Sequence, residues 1–256
     1  MKKILTLILA SLLLACIALK SKIDDPMKWV SLFNGENLEG WQIKIAGHEL
    51  DVNIHETFRV EEGMLKIRYD KYDNYGTQYG AIYTDKAYSN YRLRMEYRFT
   101  GDTAVGSPGW GYRDSGVQYH CQDPKTIEVD QSFPFSLEYN LHGGDENNER
   151  PTGQICANGT LITLDGEVVK GCQQPNPAVV IKGDDWAILE IDVQGAKIKQ
   201  FINGVEVLSF SNPRLDPEHA VAKTFIKQNE MLTNGFISLQ SNSHPIDFRK
   251  IEIMVY

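Results

Sequence analysis

The 256-residue sequence predicts an all-β protein, built as an antiparallel β-sandwich or jelly roll. Three observations support this fold class. Short stretches of alternating apolar and polar residues recur along the chain, as expected for strands with one buried face. Turn-forming residues separate these stretches, and the dipeptide Asn203-Gly204 suits a tight hairpin turn because both positions need positive φ. Only residues 216–230 resemble a helix, which would be short and would open at Asp216 and Pro217.

The first sixteen residues, MKKILTLILASLLLAC, predict an export signal. Two lysines precede an apolar run from Ile4 to Ala15 that is too short for a membrane-spanning helix. Residues 13–16, Leu-Leu-Ala-Cys, resemble the bacterial lipobox, whose Cys is lipidated; plain cleavage after a small residue is the alternative. We therefore expect a signal peptide over 1–15 with the lipobox ending at Cys16, a tether over 16–28 and a single β-sandwich domain over 29–256. The protein would be a periplasmic or cell-surface lipoprotein that contacts the membrane only through its anchor.

The strands within that domain are predicted from period-two alternation. Residues 91–99, YRLRMEYRF, give the clearest example, because four apolar side chains alternate with Arg92, Arg94, Glu96 and Arg98. Further predicted strands occupy residues 64–69, 115–121, 136–142, several stretches of a meander over 186–210, 235–241 and 247–256.

The cysteines beyond Cys16 predict one disulfide and one free thiol. Cys156 and Cys172 both lie in turn-rich sequence and flank a short hairpin-like segment, so we expect them to pair. Export makes this bond chemically accessible, and it could stabilise the fold by roughly 3 kcal/mol. Cys121 ends an alternating strand on its apolar side and is expected to be a buried free thiol.

Residues 136–142, SLEYNLH, suggest a binding surface. The predicted core side carries Leu137, Tyr139 and Leu141. The other side carries Glu138, Asn140 and His142, which we expect to line the floor of a groove. The alternative is that these side chains form a merely solvated outer face, although such faces usually favour Lys, Glu and Thr.

Similar polar faces are predicted for two other strands, which carry Gln118 with His120 and Gln240. Together they would provide amides, imidazoles and a carboxylate suited to a polyhydroxylated ligand, so a carbohydrate is the expected partner. The Gly-rich loop 106–116 adds Trp110 as a stacking platform for a sugar and Arg113 as a binding residue. The net charge of −8 and the absence of a basic stripe exclude nucleic acid as an expected partner.

Five segments in this order resemble the 3-keto-disaccharide hydrolase family: residues 32–41 (LFNGENLEGW), 115–120 (SGVQYH), 136–141 (SLEYNL), 183–207 and 235–253. The resemblance implies a concanavalin-A-like, glucanase-type jelly roll acting on glycosides that carry a ketone at C3 of a glucose unit. Glu138 is carried over from the family pattern. The sequence departs from it at Asp114, where Asn is common, at Ser241 and Asn242, where an Asp-His pair is common, and at His142, where an acidic residue is common.

Ordinary glycosidases need two carboxyl groups flanking the bond. Residues 136–144 offer only Glu138 on the groove side, unless Asp114 or Asp145 also reaches in. A 3-keto sugar needs only one positioned base, because its ketone makes the C2 proton acidic. Once the base removes that proton, the C1 substituent can leave by elimination, and water can add later.

We expect Glu138 or His142 to be that base, and His120, Gln118 or Lys227 to polarise the ketone. No cofactor is identified from the sequence. A divalent metal held by His120 and Glu138 is the alternative stabiliser, although no dense ligand motif supports it.

The sequence therefore predicts an exported enzyme that cleaves 3-keto-glucosides or 3-keto-disaccharides by C2 deprotonation, elimination and hydration. The alternatives are a non-catalytic carbohydrate-binding module and an ordinary β-glycan hydrolase.

Overall fold

The computed structural model describes residues 27–226 and 231–256, and the described residues are mostly strand. The strands are β1 (Val30–Ser31), β2 (Trp41–Ile45), β3 (Phe58–Glu61), β4 (Met64–Ile67), β5 (Gly80–Thr84), β6 (Tyr91–Phe99), β7 (Asp114–Cys121), β8 (Ser136–His142), β9 (Pro151–Thr152), β10 (Gln154–Leu164), β11 (Glu167–Gln173), β12 (Val179–Val180), β13 (Ala187–Gln194), β14 (Lys197–Ile202), β15 (Val205–Leu215), β16 (Phe236–Ser241) and β17 (Ile246–Val255). Short 3-10 turns occupy Ile54–Glu56, Gly109–Gly111, Pro124–Thr126 and Ala222–Thr224. A helix is predicted over residues 216–230. In the described part of that segment, the helical structure is the 3-10 turn Ala222–Thr224.

One antiparallel ladder connects nearly all of the strands, in the order β2-β5-β16-β7-β8-β10-β15-β14-β13-β6-β17-β4-β3. Strand β1 pairs with β17 and β11 pairs with β10, while β9 and β12 form a separate small sheet. The predicted all-β antiparallel fold is confirmed. In the described ranges, no helix is both long and apolar enough to cross a membrane.

The ladder folds over on itself, so that its two halves share one core. Tyr139 Oη on β8 donates to the carbonyl of Phe201 on β14 at 3.0 Å, and Gln200 Nε2 on β14 donates to Tyr119 Oη on β7 at 3.0 Å. Strands from the two halves of the ladder therefore face each other. We call β2, β5, β16, β7, β8 and β10 the polar layer, and β14, β13, β6, β17, β4 and β3 the charged layer.

Strand β7 contains a β-bulge that changes which way its last residues point. The register with β16 shifts between Phe236 and Ser238, and His120 has a positive φ of 46°. Tyr119 still packs in the main core, but Cys121 packs with Ala81 in a separate cluster. Cys121 is a buried free thiol, as predicted, but it lies outside the main core that alternation indicated.

Part of the outer face of the polar layer is covered by the connection 122–135. The ammonium group of Lys44 on β2 donates to the backbone carbonyls of His48, at 2.8 Å, and Val129, at 3.0 Å. These bonds hold the connection over the β2 end of the layer, where Ile127 joins the cluster that contains Cys121. Elsewhere on this face, around β8, a pocket remains open.

The predicted disulfide between Cys156 and Cys172 is confirmed, with an S–S distance of 2.04 Å. The two residues lie directly opposite each other in the register of β10 and β11, with Cα atoms 4.0 Å apart. The bond therefore fastens β11 to the edge of the polar layer beside β8.

Candidate functional site

A pocket of about 330 Å³ lies on the outer face of the polar layer. Its polar lining consists of Asp114, Glu138, Asn140, His142, Arg150, Asn158 and Asn242. Its apolar lining consists of Trp110, Phe133 and the disulfide between Cys156 and Cys172. The strand register brings most of these residues together, because β7 and β10 flank β8 and alternate residues of neighbouring strands share a face.

Glu138 is only 6% exposed and forms part of the pocket floor. Asn158 Nδ2 and Gln240 Nε2 both donate to its Oε2, at 2.5 and 3.0 Å. Burial, the largest cause, and the nearby Asp114 carboxylate together raise the pKa of the Glu138 carboxyl from 4.5 to about 7, against the opposing effect of the neighbouring amide donors. A carboxyl with this pKa can accept or release a proton near neutral pH, as a general base must.

His142, at the end of β8, forms a pair with Asp114, at the start of β7. His142 Nε2 lies 3.1 Å from Asp114 Oδ2, and His142 Nδ1 lies 3.1 Å from the carbonyl oxygen of Pro151. Both partners are acceptors, and only a doubly protonated imidazole ring can donate to both at once. Both ring nitrogens of His142 are therefore engaged by these neighbours, which fixes the orientation of the imidazole in the pocket.

Asp114 is held by further donors and is itself 5% exposed. Arg150 Nη2 lies 3.4 Å from its Oδ2, and Asn242 Nδ2 donates to its Oδ1 at 3.0 Å. Because both carboxylate oxygens are engaged, Asp114 is placed to orient His142 and Arg150 rather than to attack a substrate.

An amide chain joins the two carboxyl groups. Asn242 Nδ2 also donates to Gln240 Oε1 at 3.1 Å, and Gln240 in turn reaches Glu138. Gly116 makes this geometry possible, because a Cβ at that position would lie 2.3 Å from Gln240 Oε1. The chain fixes the orientation of both amides and so presents fixed donors to Asp114 and Glu138.

The structure brings together Glu138, Asn140 and His142 in the pocket, as the sequence predicts for the floor of a groove. Asn140 Nδ2 is 3.4 Å from Gln154 Oε1, and its buried Oδ1 has no partner among the described residues. Gln240 lies behind Glu138 as a hydrogen-bond donor.

Gln118 lies directly opposite Glu138 in the ladder but is fully buried. Its Oε1 accepts from Ser238 Oγ at 2.9 Å, and its Nε2 makes no hydrogen bond within the described ranges. Gln118 therefore supports the floor beside Glu138 and is not among the residues that line the pocket.

The predicted placement of His120 in the groove floor is corrected by the structure. His120 is 1% exposed and is not part of the pocket lining. The bulge turns it away from the row that contains Glu138, and the backbone of Gly235 passes directly against it. Burial lowers the pKa of His120 to about 4, and neither ring nitrogen has a partner in the described part of the chain. Direct contact of His120 with a ligand in this pocket does not fit this placement.

The prediction that Arg113 is a binding residue of the groove is also corrected. Its guanidinium pairs with Asp184 at 3.0 Å and donates to the carbonyl of Gly183, so it faces away from the pocket. Arg150 contributes the guanidinium of the pocket instead. Lys227 lies outside the described residues.

Sequence reasoning missed Arg150, Asn158 and Phe133. It considered Asn242 only as a departure from the family pattern, and Asp114 both as a departure and as a second carboxylate that could reach into the groove. Asn158 is two residues after Cys156 on β10, so the alternation around the disulfide was a usable signal for it. Arg150 lies in a charged connection with no periodic pattern, and only the fold brings it to Asp114.

One side of the pocket mouth is aromatic. Trp110 is 48% exposed and stacks on Tyr79, with ring centroids 5.7 Å apart and an interplanar angle of 17°. Phe133 is 40% exposed and lies against the same Tyr79, at 5.0 Å. Tyr79 therefore supports two exposed rings beside the polar floor.

No group of three or more His, Cys, Asp or Glu side chains in the described ranges is arranged to hold a metal ion. The predicted pair of His120 and Glu138 gains no third ligand there. Metal use by this protein stays an untested expectation.

Solved structures with the same fold were found by comparison. Two candidate glycosyl hydrolases from Parabacteroides distasonis match with TM-scores of 0.55 and 0.53. The first is 19% identical and the match covers 89% of this chain and 94% of that one; the second is 22% identical, with 90% and 100% covered. A protein of unknown function with a galectin-like fold from Bacillus subtilis matches at a TM-score of 0.53 and 9% identity, with 90% and 95% covered. At these identities the matches confirm the predicted jelly-roll fold class.

A comparison with proteins of curated function found no match. The model of the 3-keto-alpha-glucoside-1,2-lyase-like domain matches residues 28–254, nearly the whole described chain, and confirms the resemblance found in the sequence. The chain therefore belongs to the family of 3-keto-alpha-glucoside-1,2-lyase-like domains and is a carbohydrate-active protein.

Proposed function

We propose that the protein cleaves the glycosidic bond of 3-keto-glucosides by elimination, with Glu138 as the general base. The observation that carries this proposal is the Glu138 carboxyl, which lies in the pocket floor with a pKa raised to about 7. The amides of Asn158 and Gln240 both donate to its Oε2, which leaves Oε1 as the oxygen to take the proton. A single base of this kind is what the chemistry of a 3-keto sugar requires.

In the first step, the Glu138 carboxylate removes the proton from C2 of the oxidised glucose unit. The electron pair of the C2–H bond becomes part of an enolate whose negative charge lies on the C3 oxygen. Donors that face the developing oxyanion lower the barrier to this step. Arg150 is a cationic side chain that lines this pocket, and the imidazole of His142 lies beside Asp114 in the same lining.

In the second step, the enolate electrons form a double bond between C1 and C2 and expel the C1 oxygen, which takes up a proton. Water then adds at C1 while C2 is protonated, so the net result is hydrolysis. Positions 138 and 142 are four residues apart on β8, so their Cα atoms lie about 13 Å apart along the strand, which leaves room for a sugar ring between the base and the side chains around Asp114.

A second candidate is ordinary glycoside hydrolysis by two carboxyl groups. It is favoured by one observation, that Asp114 lines the same pocket as Glu138. Against it, both oxygens of Asp114 are engaged by Asn242, His142 and Arg150.

The test compares a p-nitrophenyl glucoside with its C3-oxidised form, for both anomers. Elimination predicts release of p-nitrophenol from the oxidised form alone. Release from both forms supports the second candidate. Tight binding of the oxidised form without release would identify a binding module and contradict the proposal.

We further propose that the protein acts outside the cytoplasm as a lipoprotein anchored at Cys16. The signal sequence lies outside the described residues, and the support is its composition together with the disulfide, which persists in oxidising compartments. Fractionation of cells that express the Cys16→Ser variant tests this: the variant should leave the membrane fraction, and unchanged membrane association would contradict the anchor.

A further inference from the structure

The aromatic side of the pocket mouth is not explained by core packing. Trp110 and Phe133 are 48% and 40% exposed, although both are large apolar side chains that are usually buried. Tyr79 supports both rings, with centroid distances of 5.7 and 5.0 Å, so the ring faces are held in place beside the pocket. Prepositioned, exposed ring faces are a feature of ligand-binding surfaces.

The two sides of the pocket differ in depth and chemistry. Glu138 lies at the floor with 6% exposure, surrounded by the amides of Asn158 and Gln240. Trp110 and Phe133 lie at the mouth and offer ring faces. A ligand whose sugar lies on the floor at Glu138 therefore has these ring faces within the same pocket, on the side open to solvent.

The part of the substrate that extends is set by the reaction. The base acts at C2, and the leaving group is bonded to the adjacent carbon, C1. With the oxidised sugar on the polar floor, the C1 substituent is the part that leaves the floor next to the base.

We propose that Trp110, Phe133 and Tyr79 form the leaving-group subsite, and that the substrates are 3-keto-glucosides with an aromatic or otherwise flat, apolar aglycone. This inference rests on the proposed function. Stacking against a ring contributes about 0.5–1.5 kcal/mol beyond simple burial, which corresponds to a change of up to about tenfold in affinity for each ring. Since the aglycone is bound equally before and during bond cleavage, the effect should appear in KM rather than in kcat.

The test uses the methyl and benzyl 3-keto-glucosides, because methanol and benzyl alcohol are of similar acidity and differ mainly in the ring. We expect kcat/KM for the benzyl substrate to exceed that for the methyl substrate by about tenfold or more. Trp110→Ala and Phe133→Ala should each raise KM for the benzyl substrate several-fold and leave the methyl substrate nearly unchanged. Trp110→Phe, which keeps an aromatic ring, should retain most of the preference.

Val129→Ala provides the matched control. Val129 is 40% exposed in the same connection as Phe133 but does not line the pocket. Its substitution should leave KM and kcat/KM unchanged for both the methyl and the benzyl substrate.

The subsite would be overturned if the wild type had equal kcat/KM for the methyl and benzyl substrates. It would also be overturned if the two alanine variants lost as much kcat/KM for the methyl substrate as for the benzyl substrate. A 3-keto-disaccharide that is cleaved better than the benzyl glucoside, with the same loss in both alanine variants, would overturn the aromatic substrate class. If the wild type cleaves neither oxidised glucoside, the proposed function fails; calorimetric binding of both glucosides to the Glu138→Gln variant then decides the subsite alone. Tighter binding of the benzyl glucoside supports it, and equal binding contradicts it.

Discussion

The two outer faces of the sandwich are both polar, but they satisfy their polar groups in different ways. On the charged layer, Arg92 pairs with Glu190 at 2.8 Å and Arg94 with Glu252 at 2.7 Å. Trp186 lies under two guanidinium groups, those of Arg98 at 4.7 Å and Arg249 at 3.8 Å from its ring centroid. These charges are matched by partners on neighbouring strands.

The polar layer leaves several groups unmatched. Gln118 Nε2, Asn140 Oδ1 and Asn242 Oδ1 are buried without a hydrogen bond in the described structure, and all three belong to residues next to or in the pocket. Buried polar groups without partners destabilise a fold, so they are expected where a ligand completes them. The comparison shows that unsatisfied polar groups, and not polarity itself, distinguish the candidate site from an ordinary solvated sheet.

The largest expected effect comes from Glu138→Gln. The amide keeps the shape and can still accept from Asn158 and Gln240, but it cannot take a proton. Turnover of the C3-oxidised glucoside should fall by roughly 10²- to 10⁴-fold, with the fold retained by circular dichroism. Glu190→Gln, the same change on the charged layer, is the control and should leave turnover unchanged. Wild-type turnover in the Glu138 variant would remove this residue from the mechanism.

The second effect is on stability. Because the pKa of Glu138 is raised in the folded state, from 4.5 to about 7, its stabilising contribution is present below pH 4.5 and is lost as the pH rises through about 7. Relative to Glu138→Gln, the wild type should therefore lose on the order of 3 kcal/mol of unfolding free energy between pH 4.5 and pH 8. Urea titrations of both proteins at several pH values measure this difference. A difference that does not vary with pH would contradict the burial of an ionisable Glu138.

A smaller effect is expected from Asp114→Asn. Removing this negative charge takes away one cause of the raised pKa of Glu138, so the acidic limb of kcat/KM should move to lower pH. At pH 6 the change in kcat/KM due to this shift should be up to about tenfold. Asp192→Asn, on the charged layer, is the control for a lost carboxylate. An unmoved acidic limb would show that Asp114 does not influence the base.

The smallest effect belongs to the charged layer itself. Glu190→Gln removes a partly exposed ion pair with Arg92, and such pairs contribute at most about 1 kcal/mol. The difference in unfolding free energy should shrink further in high salt. A larger, salt-independent loss would mean that this face is less saturated than its contacts indicate.

The sequence predicted the features that depend on one strand at a time. Alternation assigned the two faces of residues 91–99 and 136–142 correctly, because a strand places successive side chains on opposite sides. The pairing of Cys156 with Cys172 was predictable because both flank one hairpin.

The rest of the site depends on how strands are aligned, which period-two patterns do not determine. Asp114 reaches the pocket through its register opposite His142, and Asn158 through the register of β10 beside β8. The bulge at His120 is likewise invisible to alternation, and it removed from the pocket a residue that the pattern placed there. Arg150 joins from a connection whose position follows only from the complete fold.

The most direct test of the account is a titration of the Glu138 side chain itself. Carbon NMR of protein labelled at the glutamate carboxyl, with the Glu138→Gln variant used to assign the signal, reports the pH at which this group ionises. We expect a midpoint near pH 7, as for a buried base whose pKa the neighbouring Asp114 also raises. A midpoint near the ordinary value of 4.5 would contradict this expectation, because Glu138 would then be a solvated carboxylate.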